Sequence, residues 1–525
     1  DGQPPRWDYE SELEPNELDR IMPWLEKATE RLPLFGKAGV KSVISGAITH
    51  TPDGVYLSGP AHGPKNYWMH CGASIGICQG GGAGKYLAQW MVHGQADINM
   101  REFDPRRFGK WATKDYTAEV SVTDYHHMYY CYKPAEQHEV GRGLRKSSLY
   151  ERLQNHGAQF AQIFGWERAR YFGKAEQFSY RRSNAFEYIK AEALAVRQRV
   201  GLMDLSTFSK FEVKGPDAFT FLNRINANKI PAKNGGIVLS HLLNENGFIE
   251  SEMTITRLAD DHYYVLSAAA AQEYDFDQLS WRLRADENAT LTDVTDDYAV
   301  LVLAGPRARD VLSQCTMADL HQPWLTSQTA TMSGVANVRL LRVNYVGELG
   351  WEIHVPMHDA PQVFDALMAA GKAHGIQLFG TYAMNSLRME KAYRGWGSEL
   401  TAEIDMFEAS MNRFIRLEKE NFIGKQASLA KKQHGPRTQL VYMEVDNTDS
   451  DCMGNEPVYH NGKLVGLTTS GGLGFTVNKS LAFAYVDPAL AAQGTEFEVM
   501  IFSEKRKARI NVEPAYDPAN VRLKA

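Results

Sequence analysis

The strongest constraint on this chain is a change of periodicity near residue 435. From about Tyr180 onward, helical and alternating segments take turns. Downstream of Lys431-Lys-Gln-His-Gly-Pro436 almost every apolar run alternates. Residues 440–445, 463–468, 481–486 and 497–502 read as short strands separated by turn residues, a spacing that suits a small barrel or sandwich. In the preceding stretch, residues 186–200, 360–374 and 383–393 carry helical periodicity. Residues 211–214, 253–256, 263–266, 300–303 and 351–355 read as strands, with Glu352 and His354 on one face. Pro216 is expected to open a helix over 216–222. The fold class is therefore α+β with an all-β end.

Composition excludes several classes. Hydrophobic residues make up 44% and charged residues 23%, ordinary for a globular chain and unlike disorder, collagen or a coiled coil. The net charge of −6, from 63 acidic and 57 basic residues, is too balanced for a nucleic-acid binder. No apolar run is long enough for a transmembrane helix, and Asp1-Gly-Gln-Pro-Pro-Arg6 lacks the layout of a secretory signal. Cys71, Cys78, Cys131, Cys315 and Cys452 are too scattered for a disulfide scaffold or a zinc knuckle, so a soluble protein of a reducing compartment is expected. His126-His127 lack ligand partners at metal spacing and are read as structural, on a strand, and no metal site is expected.

The first hundred residues are less regular. A helical-looking stretch over 10–31 leads into alternation around Val43 to Ala47. Then comes Cys71-Gly-Ala-Ser-Ile-Gly-Ile-Cys-Gln-Gly-Gly-Gly-Ala-Gly84 ahead of a helix from Lys85 to Val92. Glycines ahead of a helix allow close backbone approach and free N–H groups for an anion. Gln79 and Tyr86 break the P-loop pattern, and no dinucleotide fingerprint fits, so a tight turn and a cofactor-facing loop both stay open. Residues 104–172, rich in Arg, Tyr and His, read as a connecting region with a helix near 148–154.

Several strings taken together resemble the glycine-cleavage T-protein (aminomethyltransferase) family, in the version fused behind a flavin oxidoreductase in dimethylglycine and sarcosine dehydrogenases and oxidases. They are Val200-Gly-Leu-Met-Asp-Leu-Ser206, Val213-Lys-Gly-Pro-Asp-Ala218, Leu243-Asn-Glu-Asn-Gly-Phe-Ile-Glu-Ser-Glu-Met-Thr254 and Arg342-Val-Asn-Tyr-Val-Gly-Glu-Leu-Gly-Trp-Glu352, followed by Ala383-Met-Asn-Ser-Leu-Arg-Met-Glu-Lys391, Asn421-Phe-Ile-Gly-Lys425 and Thr469-Ser-Gly-Gly472. Upstream, Gly80-Gly-Gly-Ala-Gly-Lys85 and Phe103-Asp-Pro-Arg-Arg-Phe108 resemble the C-terminal end of the flavin domain, and Arg142-Gly-Leu-Arg-Lys-Ser-Ser-Leu-Tyr150 the segment joining flavin and folate parts. The resemblance implies a C-terminal remnant of a D-amino-acid-oxidase-like FAD domain over 1–110, a connecting segment over 111–175, an aminomethyltransferase-like folate-binding domain over 176–430 and a small β-barrel over 431–525. It also implies that the N-terminal half of the flavin domain is missing, so that FAD would bind only with that half, from the same protein or from a partner chain.

The chemistry implied is demethylation of a small N-methyl amine. A flavin oxidises it to an iminium, and tetrahydrofolate takes the carbon as 5,10-methylenetetrahydrofolate, at a site that must orient the pterin and exclude water. By resemblance, Glu352 recognises the pterin through paired hydrogen bonds, Glu252 is the catalytic carboxylate beside the folate nitrogens, and Tyr485, Tyr345 and Thr254 line the site. Glu348 is expected to be a turn residue. Met384 stands where T-proteins carry an arginine for the folate tail, and Leu239 where some relatives carry a pterin-facing tyrosine. Arg388, one turn beyond Met384, is expected to substitute in part. Gly72, Gly76, Gly80 and Gly82 are assigned to the flavin. Alternatives are a folate-dependent demethylase of a betaine or sulfonium donor, and a non-catalytic regulatory subunit of the same fold. No nucleic-acid or membrane partner is expected, and the location is read as cytoplasmic, or mitochondrial matrix in a eukaryote.

Overall fold

A computed structural model describes residues 13–525. The change of periodicity marks a boundary between architectures. After the helix Lys425–His434, six strands close into a barrel in the order Gln439–Val445, Lys479–Val486, Lys463–Gly474, Pro457–His460, Glu496–Ile501 and Glu504–Asn511. Its interior is filled by alternate residues, among them Val441, Met443, Ala482, Ala484, Phe497 and Val499. The Glu504–Asn511 strand escaped the sequence reading because its outward face is charged and only Ala508 and Ile510 turn inward.

The preceding region holds two largely antiparallel sheets. The first has five strands in the order Thr290–Asp293, Ser209–Lys214, His262–Ser267, Ile249–Ala259 and Ile237–Leu243. The second has six, in the order Ser327–Met332, Val335–Leu341, Gly350–Pro356, Tyr298–Ala304, Val200–Asp204 and Ile376–Leu378, the last pair parallel. Successive side chains along a strand face opposite ways, so each sheet has a core face and a facing face. On the first, Phe211, Val213, Met253, Ile255, Tyr263 and Val265 pack against the helix Ala218–Ile225. On the second, Leu301, Leu303, Trp351, Ile353 and Val355 pack against Val363, Phe364 and Leu367 of the helix Ala360–Gly371. Burying each such side chain contributes roughly 1.5–3 kcal/mol. Both sheets therefore turn their remaining faces towards one another.

Several local expectations need correction. The helix expected from Lys85 begins at Gly76 and runs to His93, so Gly80 and Gly82 lie inside a helix and not in a loop before it. Glycine in a helix interior costs about 1 kcal/mol against alanine, a cost the long-chain residues 85–92 and the Gly94 left-handed cap (φ +72°) offset. Val43 to Ala47 form no strand; Ser45 makes one isolated bridge to Glu14. His126 ends the helix Lys114–His126 and is not on a strand. Pro216 precedes the helix Ala218–Ile225 and lies outside it. The helical stretch expected from residue 10 is a helix over Leu18–Arg31, and the first residues of that expectation lie outside the described residues. Among the described residues all five cysteines are free, no cluster could hold a metal ion, and no helix is long and apolar enough to cross a membrane.

Candidate functional site

The facing surfaces of the two sheets meet at a polar pin. Tyr264 and Glu212 are register partners on the first sheet, as are His354 and Arg339 on the second. Across the gap, Arg339 donates to Glu212 at 2.6 Å and stacks on the Tyr264 ring at 4.4 Å, while Tyr264 Oη lies 3.1 Å from His354 Nδ1. Burial works to raise the Glu212 carboxyl, but His262, Lys214 and Arg339 outweigh it and hold it well below the usual carboxylate range.

One register step along, the cleft opens. On the first sheet the step leads from Thr256 opposite Tyr264 to Thr254 opposite Leu266 and Leu239, then to Glu252 opposite His241. On the second it leads from His354 to Glu352, whose register partners are Val302 and Leu341. Period-two alternation thus puts Glu252, Thr254 and Glu352 on the two walls of one cleft.

Glu352 has an unusual environment. Its side chain is 14% exposed, its carboxylate accepts no hydrogen bond among the described residues, and Oε2 stands 3.7 Å from His354 Nε2, too far for one. Burial in these apolar surroundings pushes its carboxyl up to about 8. His354 is driven well below its ordinary value by burial and by the charges of Lys210 and Arg339, so it is neutral. The Tyr264 hydroxyl and His354 Nδ1 share one hydrogen bond, and Nε2 is buried with no partner among the described residues. The wall of the cleft thus holds two neighbouring polar groups, the Glu352 carboxyl and His354 Nε2, without hydrogen-bond partners among the described residues.

Glu252 is held differently. Its Oε2 lies 3.1 Å from Nε2 of His241, a fully buried histidine whose Nδ1 has no partner. Tyr345 closes this end: its hydroxyl donates to the Arg394 carbonyl at 2.5 Å, its ring stacks on Tyr393 at 5.8 Å, and burial together with the Glu252 and Glu399 charges raises its phenol. Tyr485 donates to the Glu399 carbonyl at 2.7 Å. Met384 sits in an apolar cluster with Val302, Val346 and Leu387.

Arg388 is occupied within the protein. It donates to Asn385 Oδ1, the Tyr393 carbonyl, Glu399 and Ser470, and is 5% exposed. Glu348, expected in a turn, lies in the bend 345–349, yet it is fully buried and accepts from Tyr516 at 2.7 Å and Arg197 at 3.3 Å. Of the glycines assigned to a flavin, only Gly72 has a left-handed backbone (φ +80°), where a Cβ would meet Thr51 Cγ2 at 2.8 Å. Gly76 opens the helix, and a Cβ at Gly80 or Gly82 would meet nothing within 4 Å.

This two-sheet cleft with its closing barrel has relatives. Residues 149–419 match the GCVT N-terminal domain and residues 438–517 the glycine cleavage T-protein C-terminal barrel domain. An aminomethyltransferase from Desulfitobacterium hafniense (strain Y51) is 30% identical over 70% of this chain and 96% of its own length. The chain belongs to the glycine-cleavage T-protein family. The crystal structure of the glycine cleavage system aminomethyltransferase T from Bartonella henselae agrees, with a TM-score of 0.64 at 25% identity over 72% of this chain and 99% of that one.

The T-protein region is preceded by residues 93–147, which match the FAD dependent oxidoreductase central domain. Along nearly its whole length the chain is also similar to dimethylglycine and sarcosine dehydrogenases. Mitochondrial dimethylglycine dehydrogenase of Homo sapiens is 37% identical over 98% of this chain and 60% of its own length. The chain thus spans about 60% of that relative. Three residues lining or flanking this cleft escaped the motif reading: His241, Tyr264 and His354. Alternation puts His354 beside Glu352, but nothing local says that His241 meets Glu252 across a strand pair.

Proposed function

We propose that this chain carries the one-carbon-transferring part of a folate-dependent demethylase of a small N-methyl amine, of dimethylglycine or sarcosine type. The observation that supports it most is the Glu352 carboxyl, 14% exposed, without a hydrogen bond among the described residues, and on the wall opposite the one that carries Glu252. A pterin edge presents adjacent N–H donors that fit such an acceptor in parallel.

Bound tetrahydrofolate would supply the nucleophilic nitrogens that accept the carbon. The residues of the chain would do the rest. Glu352 receives the pterin donors, and that bonding favours its ionised form. Glu252 takes up a proton at its free carboxylate oxygen, and His241 holds the other oxygen in place. Thr254, Leu239 and Tyr345 wall the cleft against water. FAD is proposed as the oxidant of the whole protein, supported by the match of residues 93–147. A mitochondrial location is proposed from the human relative's name.

Titrating the chain with tetrahydrofolate, followed by tryptophan fluorescence, tests this reading. Saturable quenching in the wild type, lost in Glu352→Ala, is expected. Absence of binding by a folded wild-type chain overturns it.

A further inference from the structure

Beside residues of the cleft stand two arginines with no acid paired to them among the described residues. Arg394 follows the Thr381–Glu390 helix, and Arg413 lies in the short turn Asn412–Phe414. Neither has a carboxylate within ion-pair distance among the described residues, although most buried or half-buried arginines in this protein do. Arg394 spends Nε on the Ala409 carbonyl at 3.4 Å and Nη1 on the Ala392 carbonyl at 3.0 Å, which leaves Nη2 without a partner. Arg413 makes no hydrogen bond among the described residues; its guanidinium lies 4.7 Å over the Phe414 ring, and the residue is exposed. The nearby Glu399 cannot serve them, because Arg388, Thr469, Ser470 and the Gly395 N–H claim both of its oxygens.

Both arginines neighbour residues of the cleft. The Arg394 carbonyl receives the Tyr345 hydroxyl. Phe414, next to Arg413, packs on His241 at 6.0 Å, and His241 holds Glu252. Burial together with the Arg413 charge lowers Arg394. Two like charges kept together without an acid are stable only where an anion or water compensates them.

We infer that Arg394 and Arg413 receive the terminal carboxylates of the glutamyl tail of tetrahydrofolate, while its pterin end lies against Glu352. This rests on the folate reading above and adds to it. It moves tail recognition away from Arg388, whose guanidinium is consumed inside the protein, and from Met384, which is apolar. Exposed Arg413 would add reach and charge, and half-buried Arg394 would add direction.

The test compares two ligands on the full chain: tetrahydrofolate, and a tetrahydropterin lacking the benzoyl-glutamate portion. Dimethylglycine, the other carboxylate-bearing candidate, is titrated separately. In Arg413→Ala the affinity for tetrahydrofolate should fall about tenfold or more, the equivalent of one charge-assisted hydrogen bond. Affinity for the tailless pterin should hold, and the salt dependence of tetrahydrofolate binding should flatten. Arg394→Lys, which keeps the charge and loses the planar fork, should give a smaller loss of the same kind. Equal losses for both ligands, or none for tetrahydrofolate, overturn the assignment and leave the folate reading standing. Dimethylglycine binding that disappears in Arg413→Ala also overturns it, since the pair would then serve the amine. A wild-type chain that binds neither pterin ends both readings.

Discussion

His241 and Glu252 face each other as register partners on adjacent antiparallel strands, with the imidazole Nε2 3.1 Å from the carboxylate. His241 is fully buried, so the carboxylate position is set by a side chain that cannot move without repacking the sheet. Glu252→Gln keeps the shape and removes the base; transfer to tetrahydrofolate should fall on the order of 10²-fold with binding nearly retained. Single-turnover assay of methylene transfer beside the fluorescence titration separates the two effects. A parallel loss of binding would move Glu252 from proton transfer to ligand recognition.

Glu352 should make stability pH-dependent. Burial holds its carboxyl up at about 8, against about 4.3 in an unfolded chain. The folded state therefore binds the proton more tightly. The stability this contributes is full below about pH 4.3 and is lost as pH rises through about 8. Relative to Glu352→Gln, which does not titrate, the wild type should lose a few degrees of Tm between about pH 5 and 8.5. Saturating tetrahydrofolate should reduce that loss. A pH-independent difference between the two proteins would contradict the assignment.

The Arg339–Glu212 pin should be structural. Glu212→Ala leaves a buried guanidinium without its 2.6 Å partner, and such removals cost about 3–5 kcal/mol. Denaturant unfolding should show that loss. Replacing both residues with apolar ones of similar volume should cost less than Glu212→Ala alone.

Gly466 sits opposite Val486 in the barrel, where a Cβ would run into the carbonyl oxygen of Tyr485. Gly466→Ala must push apart the strands Lys463–Gly474 and Lys479–Val486. It should destabilise by about 1–3 kcal/mol, and it should weaken folate binding through the displaced Tyr485. A neutral effect on both would show that the barrel yields at this point.

Much of the fold was legible because alternation and helical spacing report which face a residue shares, and they do so locally. The barrel's inward Val441, Met443, Ala482 and Ala484 and the shared face of Glu352 and His354 follow from period two alone. Errors fell where local chemistry was ambiguous. The run Gly80-Gly-Gly-Ala-Gly84 looks like a loop, yet the helix-forming residues after it extend the helix back to Gly76. The charged strand Glu504–Asn511 looks like solvent, yet it closes the barrel.

The sequence by itself determined the switch from α+β to all-β near residue 435, the faces of those strands whose alternation is regular, and the short set of acidic residues from which a site could be built. Only the tertiary structure decided which of those charged groups stay unsatisfied. Glu348 is taken by Tyr516 from the far end of the chain, and Arg388 by Glu399 and Ser470, while Glu352 and Arg413 find no hydrogen-bond partner among the described residues. The reason is physical: strand alternation is set by neighbours along the chain, but a charge is neutralised by whatever the fold brings within a few ångströms, and those partners lie up to 168 residues away.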